Sequence, residues 1–526
     1  MKRINGLGLQ AVSPRFFTTR TSNTLIVVNS DYGLYTAIQE AKSAGWNTVA
    51  IHPAYSTSDG GADLALPVDN IMSVPDVLRA IEYAQVHFPR TKAYVHPVYG
   101  YHSELTGLNQ AVSSRKHLKM VAPPAKLVHQ CGDKREARKL ACSLGIPVIP
   151  GYHDDDVRLS TLLKEWKKLG HKPAMLKTTD GGGGKGNRII RTEEELSHAL
   201  SELGGNVILE TLLSGRFKQI EAQLVITQNG PLYLPPRDCS EQWRFQKKGR
   251  EIGFQPQVLA GLLPGFEKIT AYQKKFGDYL FTQGYEGPGT AEFLVDLETG
   301  DVFFVEINTR LQVENQASGI PAGLNILSLQ RLIAAGESID NYVDSLLAAK
   351  KIQASRSSSL DTKLQLLMTA SPKVCVQLRI YGYETRVEQN GHHRMLVNYP
   401  CKGTVDTLDL PRSRHGYVDS YLKPGLLIDT SLVDGMLGIV YGYGDNLATA
   451  TKAAHELVSR THLSLPTNQP TTKAWLSAVA KKDYHNIHTG SLESYLARSL
   501  WSHPSRFESH SEGHYDEHAA SCFSRY

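Results

Sequence analysis

The stretch EFLVDLETGDVFFVEINTRLQVE, residues 292–314, decides the reading of the chain. It begins as a β-hairpin, two apolar runs joined by a turn at Glu298-Thr299-Gly300. A three-residue turn centred on Thr299 places Glu292 directly opposite Glu306. Like charges facing each other across a ladder are destabilising. The penalty grows inside a cleft unless a divalent cation lies between them, and magnesium accepts one or two carboxylates together with substrate phosphates. Beyond the hairpin, Glu306, Asn308, Arg310, Gln312 and Glu314 recur at period two, so an extended chain would present all five on one side. That face offers a metal carboxylate, a metal amide, a guanidinium, an amide and a second carboxylate. A merely solvated strand face would mix in Lys, Thr or Ser.

Upstream lies KTTDGGGGKGNR, residues 177–188, with the strand-like AML before it and IIR after it. Strand, glycine loop, strand is not a P-loop, which needs GK[ST] opening a helix. Gly181, Gly182, Gly183 and Gly184 carry no side chains, so backbone N–H groups can close on phosphate oxygens. Lys177 at the strand end can place a cation on the same phosphates. Further upstream, TLIVVNS, DYGLYTAIQEAKSAGW and NTVAIHP read as strand, helix and strand from residue 24, with Gly45 ending the helix. KAYVHP, residues 92–97, has the same strand character. This is a parallel α/β unit, with a pocket expected at the carboxyl ends of its strands. A small α+β piece follows from about 150 to 219, then antiparallel strands from 220 to about 335, and more strands from 374 to about 465. The polar, Ser-rich AAKKIQASRSSSLDTK, residues 348–363, reads as an inter-domain linker or exposed loop.

The chain has 526 residues, enough for three or four domains at about 150 residues each. Hydrophobic residues make up 41% and charged residues 21%, the balance of a soluble globular protein. A net charge of +5 argues against a nucleic-acid binder. Apolar runs such as Leu25 to Val28 fall far short of the roughly 18 residues that span a bilayer. Six cysteines without a CxxC pair support neither a zinc site nor a disulfide scaffold, and read as reduced and structural. Residues 1–23 contain Lys2, Arg3, Arg15 and Arg20 and no acid, the composition of a mitochondrial transit peptide. The expected location is therefore the mitochondrial matrix, or the cytoplasm if this segment is only a tail. Residues 498–526 are expected to form a disordered tail, and its His510, His514 and His518 are spaced by four.

In these motifs the chain resembles the biotin carboxylase family of the ATP-grasp superfamily, as a divergent member. The resemblance rests on HPVYGYHSE (96–104), GDK (132–134), MLKTTDGGGGKGNR (175–188), QIEAQ (219–223), RDCSEQWRFQK (237–247), GTAEFL (289–294), VEINTRLQVEN (305–315) and LRI (378–380). It implies an α/β fold: an N-terminal pre-ATP-grasp, Rossmann-like domain over 24–133, an ATP-grasp domain over 134–347 with a mobile lid at about 150–219, a linker over 348–370, and a C-terminal biotin-carboxylase-type α+β domain over 371–497. Lys134, Lys177 and the four loop glycines would contact nucleotide phosphates. Glu210 and its neighbours to Leu213 would line the adenine pocket, and Glu221, Gln242 and Gln246 would lie around the nucleotide. Glu292, Glu306 and Asn308 would hold Mg2+ or Mn2+. Lys247, Arg310, Gln312 and the backbone of Val313 would bind bicarbonate. Glu314 would be the general base, and Arg379 would stabilise negative charge on the acceptor.

The implied activity is that of an ATP-dependent ligase forming a C–N bond through carboxyphosphate. ATP is the co-substrate and biotin the acceptor. No AMKM attachment motif is present and little chain follows residue 500, so biotin would arrive on another chain, with a carboxyltransferase elsewhere. Dimerisation is suggested by the resemblance alone. Five positions depart from the family pattern: Gln219 and Phe245 stand where His is usual, Asn315 follows the ExNTRxQVE run in place of His, Tyr417 replaces an Arg, and NSDYGLY (29–35) replaces NRGEIA. Two other functions fit the same residues. One is a biotin-independent ATP-grasp carboxylase, or carboxylate–amine ligase, with a small-molecule acceptor. The other is a nucleotide-binding regulatory paralogue without catalysis.

Overall fold

The computed structural model describes residues 22–180, 186–243, 246–355, 357–390, 393–432, 435–480, 482–492 and 494–496. The glycines Gly181 to Gly184, Phe245 and both terminal segments lie outside them. Strands Asn23–Val28, Asn47–Pro53, Leu64–Val68, Lys92–His96 and Leu118–Met120 form one parallel sheet, with the Asn23 strand in the middle. Its residues are buried on both sides, as period two requires when both faces are covered. Leu25 and Val27 pack with Leu34 and Ile38 of the helix Asp31–Ser43, whereas Ile26 and Val28 pack with Val77 and Ile81 of the helix Val74–His87. Gly45 follows the first helix at φ +75°, a conformation that glycine adopts without strain.

A second, antiparallel sheet joins Gly151–Tyr152, Val207–Thr211, Ala174–Thr178 and Asn187–Ile190 in that spatial order. It has a core of its own, in which Leu162, Trp166, Leu176, Leu196 and Leu209 meet.

The third sheet is the largest. Its strands run in space as Val302–Asn308, Gly287–Asp296, Phe217–Thr227, Arg237–Asp238, Glu251–Phe254, Val374–Tyr381, Met436–Gly444, Gly416–Ser420 and Arg412–Ser413, with Gly230–Tyr233 also on the Phe217 strand. The segments on either side of the presumed linker therefore share one sheet, joined where Glu251–Phe254 pairs with Val374–Gln377. Within the stretch read as a linker, 348–370, Leu360–Thr369 is a helix of 10 residues. Ser359 caps it by accepting the Thr362 N–H, Leu367 is buried, and the Lys363 ammonium sits between Asp340 and Asp344, 2.9 Å from each. The serines that looked like loop composition thus include an N-cap.

The decisive hairpin differs in detail from its reading. Val295 pairs with Val302 and Phe293 with Phe304, around a four-residue turn over 297–300. A bulge between Glu292 and Phe293 then shifts the register by one, and Glu292 faces Glu306 after all. The extended alternation does not continue past Asn308, where the strand ends. Residues 309–314 turn instead, and Glu314 stands at the N-cap position of the helix Asn315–Ala322. Among the described residues no helix is long and apolar enough to cross a membrane.

Candidate active site

Three adjacent strands of the large sheet bring three carboxylates into one row. Glu221 pairs with Glu292, which pairs with Glu306. Directly opposed residues share a face, so this row would repel itself without cations. The main one is Lys247, delivered by the short hairpin Gln242–Lys247. Its ammonium reaches Glu221, lies 2.5 Å from Glu314 Oε1 and 3.4 Å from Glu292 Oε1. Burial works against the charge on Lys247, but Glu221, Glu292 and Glu314 outweigh it and hold its pKa well above the lysine range.

Arg379, on the strand Val374–Tyr381, clasps Glu251 and reaches Glu314 Oε2 at 2.9 Å. Glu314 therefore carries one cation on each oxygen. Its burial favours the neutral acid, yet Lys247, Arg379 and Arg237 together hold the carboxyl well below the usual range. Arg237 is fully buried and donates to Glu221 Oε2 at 2.9 Å, to Gln312 Oε1 at 2.5 Å and to Ser318 Oγ at 3.1 Å.

Glu292 is held by amides. Asn308 and Gln312 donate to its Oε1 at 3.0 and 3.1 Å, and Gln219 donates to its Oε2 at 2.7 Å. Burial raises the Glu292 pKa, Lys247 opposes that rise, and Glu306 and Glu314 add to it. Two facing carboxylates with excess negative charge and oxygen donors fit a divalent cation of the magnesium type. Asn308 turns its NH2 toward the pair and accepts from Arg310 on its oxygen at 3.2 Å, and a half-turn of the amide would present oxygen instead. Gln219 occupies the position where histidine was expected. It both donates to Glu292 and accepts from Gln242 at 2.6 Å, so the substitution is absorbed by an amide pair.

The other candidates are placed as follows. Arg310 Nε is 3.1 Å from Glu104 Oε2, and Val313 is half-buried. Asn315 donates to the Gln312 carbonyl at 2.8 Å. On the side of the small sheet, Lys177 lies 2.5 Å from Glu210, which also bonds Arg138. Burial opposes the Glu210 charge, but Lys177 and Arg138 prevail and lower its pKa. The Lys134 backbone N–H donates to the Thr179 carbonyl at 2.9 Å, tying the helix Lys134–Ser143 to that sheet. Leu213 is half-buried beyond Glu210, and Gln246 is exposed on the hairpin. Tyr417 is set apart from the centre, packed on Tyr441 at 5.1 Å between centroids.

Sequence reasoning assigned no role to Arg237, Glu251 or Cys239. The thiol of buried Cys239 lies within 4.8 Å of carboxylate oxygens of Glu221 and Glu314. Burial pushes its pKa up and Glu221 adds to that, so it is a neutral thiol beside an ion-paired cluster. The dense alternation of charge in RDCSEQ and KKGRE was the available signal for Arg237 and Glu251.

Residues 133–342 match the family described as carbamoyl-phosphate synthase L chain, ATP binding domain. The α subunit of mitochondrial methylcrotonoyl-CoA carboxylase from Glycine max is 32% identical over 386 residues, 71% of this chain and 47% of that protein. The chain thus spans about half or less of the length of the curated relatives it matches. The biotin carboxylase domain of a single-chain bacterial carboxylase superposes with a TM-score of 0.70 at 25% identity, over 92% of this chain and all of that one. The corresponding domain of 2-oxoglutarate carboxylase from Hydrogenobacter thermophilus shares the fold, with a TM-score of 0.71 at 24% identity over 93% and 99% of the two chains. In sequence and in fold, the chain belongs to the biotin carboxylase family of the ATP-grasp fold.

Proposed function

We propose that the chain activates bicarbonate with ATP and passes the carboxyl group to biotin carried on another chain. The observation that carries this reading is the buried Glu314 carboxylate between Lys247 and Arg379, 2.5 and 2.9 Å away. Bicarbonate is an anion and competes for the same cations. When Lys247 turns to it, Glu314 loses part of the charge that depresses its pKa while its burial remains. Its proton affinity then climbs, and it can take the bicarbonate proton. Arg310, Gln312 and the Val313 backbone complete the anion pocket, where a planar guanidinium suits a planar carbonate.

An oxygen of the deprotonated bicarbonate attacks the γ-phosphorus of ATP and ADP leaves, giving carboxyphosphate. That intermediate breaks down to carbon dioxide and phosphate beside the acceptor; the released phosphate takes the N–H proton of the acceptor, Arg379 faces the charge that develops, and the nitrogen bonds to the carbon dioxide. Lys134, Lys177 and the glycine loop hold the phosphates, so that catalysis is positioning plus charge neutralisation. Glu210 to Leu213, Glu221, Gln242 and Gln246 surround the nucleotide. Magnesium, held by Glu292, Glu306 and Asn308, would neutralise phosphate charge. The piece at about 150–219 closes as the lid of an ATP-grasp domain over 134–347, between an N-terminal domain over 24–133 and a C-terminal domain over 371–497. Exclusion of water protects the intermediate. Residues 1–23 direct the chain to the mitochondrial matrix, in keeping with the word mitochondrial in the name of the Glycine max relative. Separate biotin-carrier and carboxyltransferase chains act with it, and two copies pair as a homodimer.

The test is phosphate release from Mg-ATP with and without bicarbonate, each with and without free biotin. Release that needs bicarbonate and rises with biotin is the expected result. Release that needs bicarbonate but ignores biotin points to another acceptor, and nucleotide binding without release points to a regulator.

A further inference from the structure

Lys247 reaches the carboxylates from a loop, beside Gln242, whose two ends meet at a single buried side chain, Glu241. Each oxygen of Glu241 accepts two hydrogen bonds. Oε1 accepts from Arg250 Nε at 2.8 Å and Nη2 at 2.5 Å, and Oε2 accepts from the Arg250 backbone N–H at 2.8 Å and from the indole N–H of Trp475 at 2.5 Å. The Glu241 carbonyl accepts the Gly249 N–H at 3.0 Å, closing the neck a second time. Gly249 has no room for a side chain, because a Cβ there would lie 2.4 Å from Glu241 Cβ.

The far side of the clamp is anchored in the C-terminal part of the chain. Trp475 is buried in the helix Gln469–Val479 with Val479, Ile487, Leu492 and Leu496, and Trp243 of the hairpin packs on the same cluster. Arg250 also donates to Thr451 Oγ1 at 3.0 Å. Asn468, just before that helix, donates to the Arg379 carbonyl at 2.9 Å and accepts the Tyr381 N–H at 2.8 Å. One helix thus braces the backbones that carry both cations of Glu314.

We infer that Glu241 is a positioning residue that sets where Lys247 sits, through its clasp of Arg250 and Trp475. The inference rests on the reading of Lys247 as a bicarbonate ligand. All four partners of Glu241 are donors, so an amide in its place turns NH2 toward two of them whichever way it is oriented. Glu241→Gln keeps the shape and breaks one side of the clamp. The KM for bicarbonate is expected to rise about tenfold, the scale of one charge-assisted hydrogen bond, with the KM for ATP unchanged. Trp475→Phe removes one donor and keeps the ring, so a smaller rise in the same constant is expected, and it serves if the first variant fails to fold. A purely structural role would move both constants together, and that result overturns the inference. An unchanged bicarbonate constant in a folded variant also overturns it.

Hydrogen exchange over residues 242–249 gives a readout independent of turnover, and the Glu241→Gln change should quicken it while residues 174–178 stay as in the wild type. If the wild type shows no bicarbonate-dependent release, the carboxylase reading fails. The clamp then stands on faster exchange in the variant and falls on unchanged exchange.

Discussion

Replacing Lys247 with methionine tests the electrostatics of the centre directly. The ammonium neutralises Glu221, Glu292 and Glu314, and only 18% of its side chain is exposed. Removing one partner of a buried pair costs about 3–5 kcal/mol, because the charge left behind is uncompensated. The three carboxylates have an escape, which is to bind a proton. Glu221 and Glu292 already sit above the usual range, each because burial raises its pKa more than the cations lower it, so one of them should titrate first. An unfolded glutamate ionises near pH 4.3, so between pH 6 and 8 the folded variant holds a proton that the unfolded chain does not. Stability then falls as pH rises, by about 1.4 kcal/mol per unit for each such proton. The loss relative to wild type should be largest at pH 8 and smaller by about 3 kcal/mol at pH 6. Lys247 itself contributes no slope there, since its raised pKa keeps it charged throughout. Urea unfolding at pH 6, 7 and 8, with hydrogen exchange of the strand Phe217–Thr227 as the local readout, measures the difference. Equal losses at pH 6 and pH 8 would refute the reasoning, because they would mean that no carboxylate took up a proton.

Glu306→Gln should lower turnover about a hundredfold and raise the magnesium concentration needed for half activity; unchanged magnesium dependence would remove Glu306 from the metal site. Glu314→Ala should lower bicarbonate-dependent phosphate release about 10²–10⁴-fold with nucleotide affinity nearly intact, as read by titration calorimetry; parallel loss of nucleotide binding would dismiss its role as base. Gly253→Ala would put a Cβ 1.6 Å from the Ala317 carbonyl oxygen, on the helix that follows Glu314. A loss of about 3 kcal/mol or failure to fold is expected, and a wild-type unfolding midpoint would contradict the packing described.

Local patterns gave the parts of this molecule, and distant pairings gave the rest. The alternate burial of Leu25, Ile26, Val27 and Val28 follows from a run of strand-forming residues next to an amphipathic helix. The facing of Glu292 and Glu306 was legible too, although a longer turn and a bulge cancel each other to produce it. The chain direction after Asn308 was not legible, because period two persists in the sequence where the strand has ended. The helix at Leu360–Thr369 was hidden by serines that are equally common in loops and caps. The clamp at Glu241 could not be read at all, since Trp475 lies 234 residues further along the chain. The roles implied for Lys177 and Glu210 acquire a further element from space, where the two neutralise each other across neighbouring strands.

The continuity of the large sheet has a practical corollary. Residues 133–342 look like a self-contained cassette in sequence, yet the strand Glu251–Phe254 borrows one of its two neighbours from residues 374–377. Cutting the chain after 342 would strip that strand of its partner along its whole length and bare Ile252 and Phe254, which are 2% and 0% exposed in the intact protein. An open, flat, apolar edge recruits whatever strand it meets, most often another copy of itself. The boundary that family likeness draws through this protein is therefore not one along which the folded object can be divided.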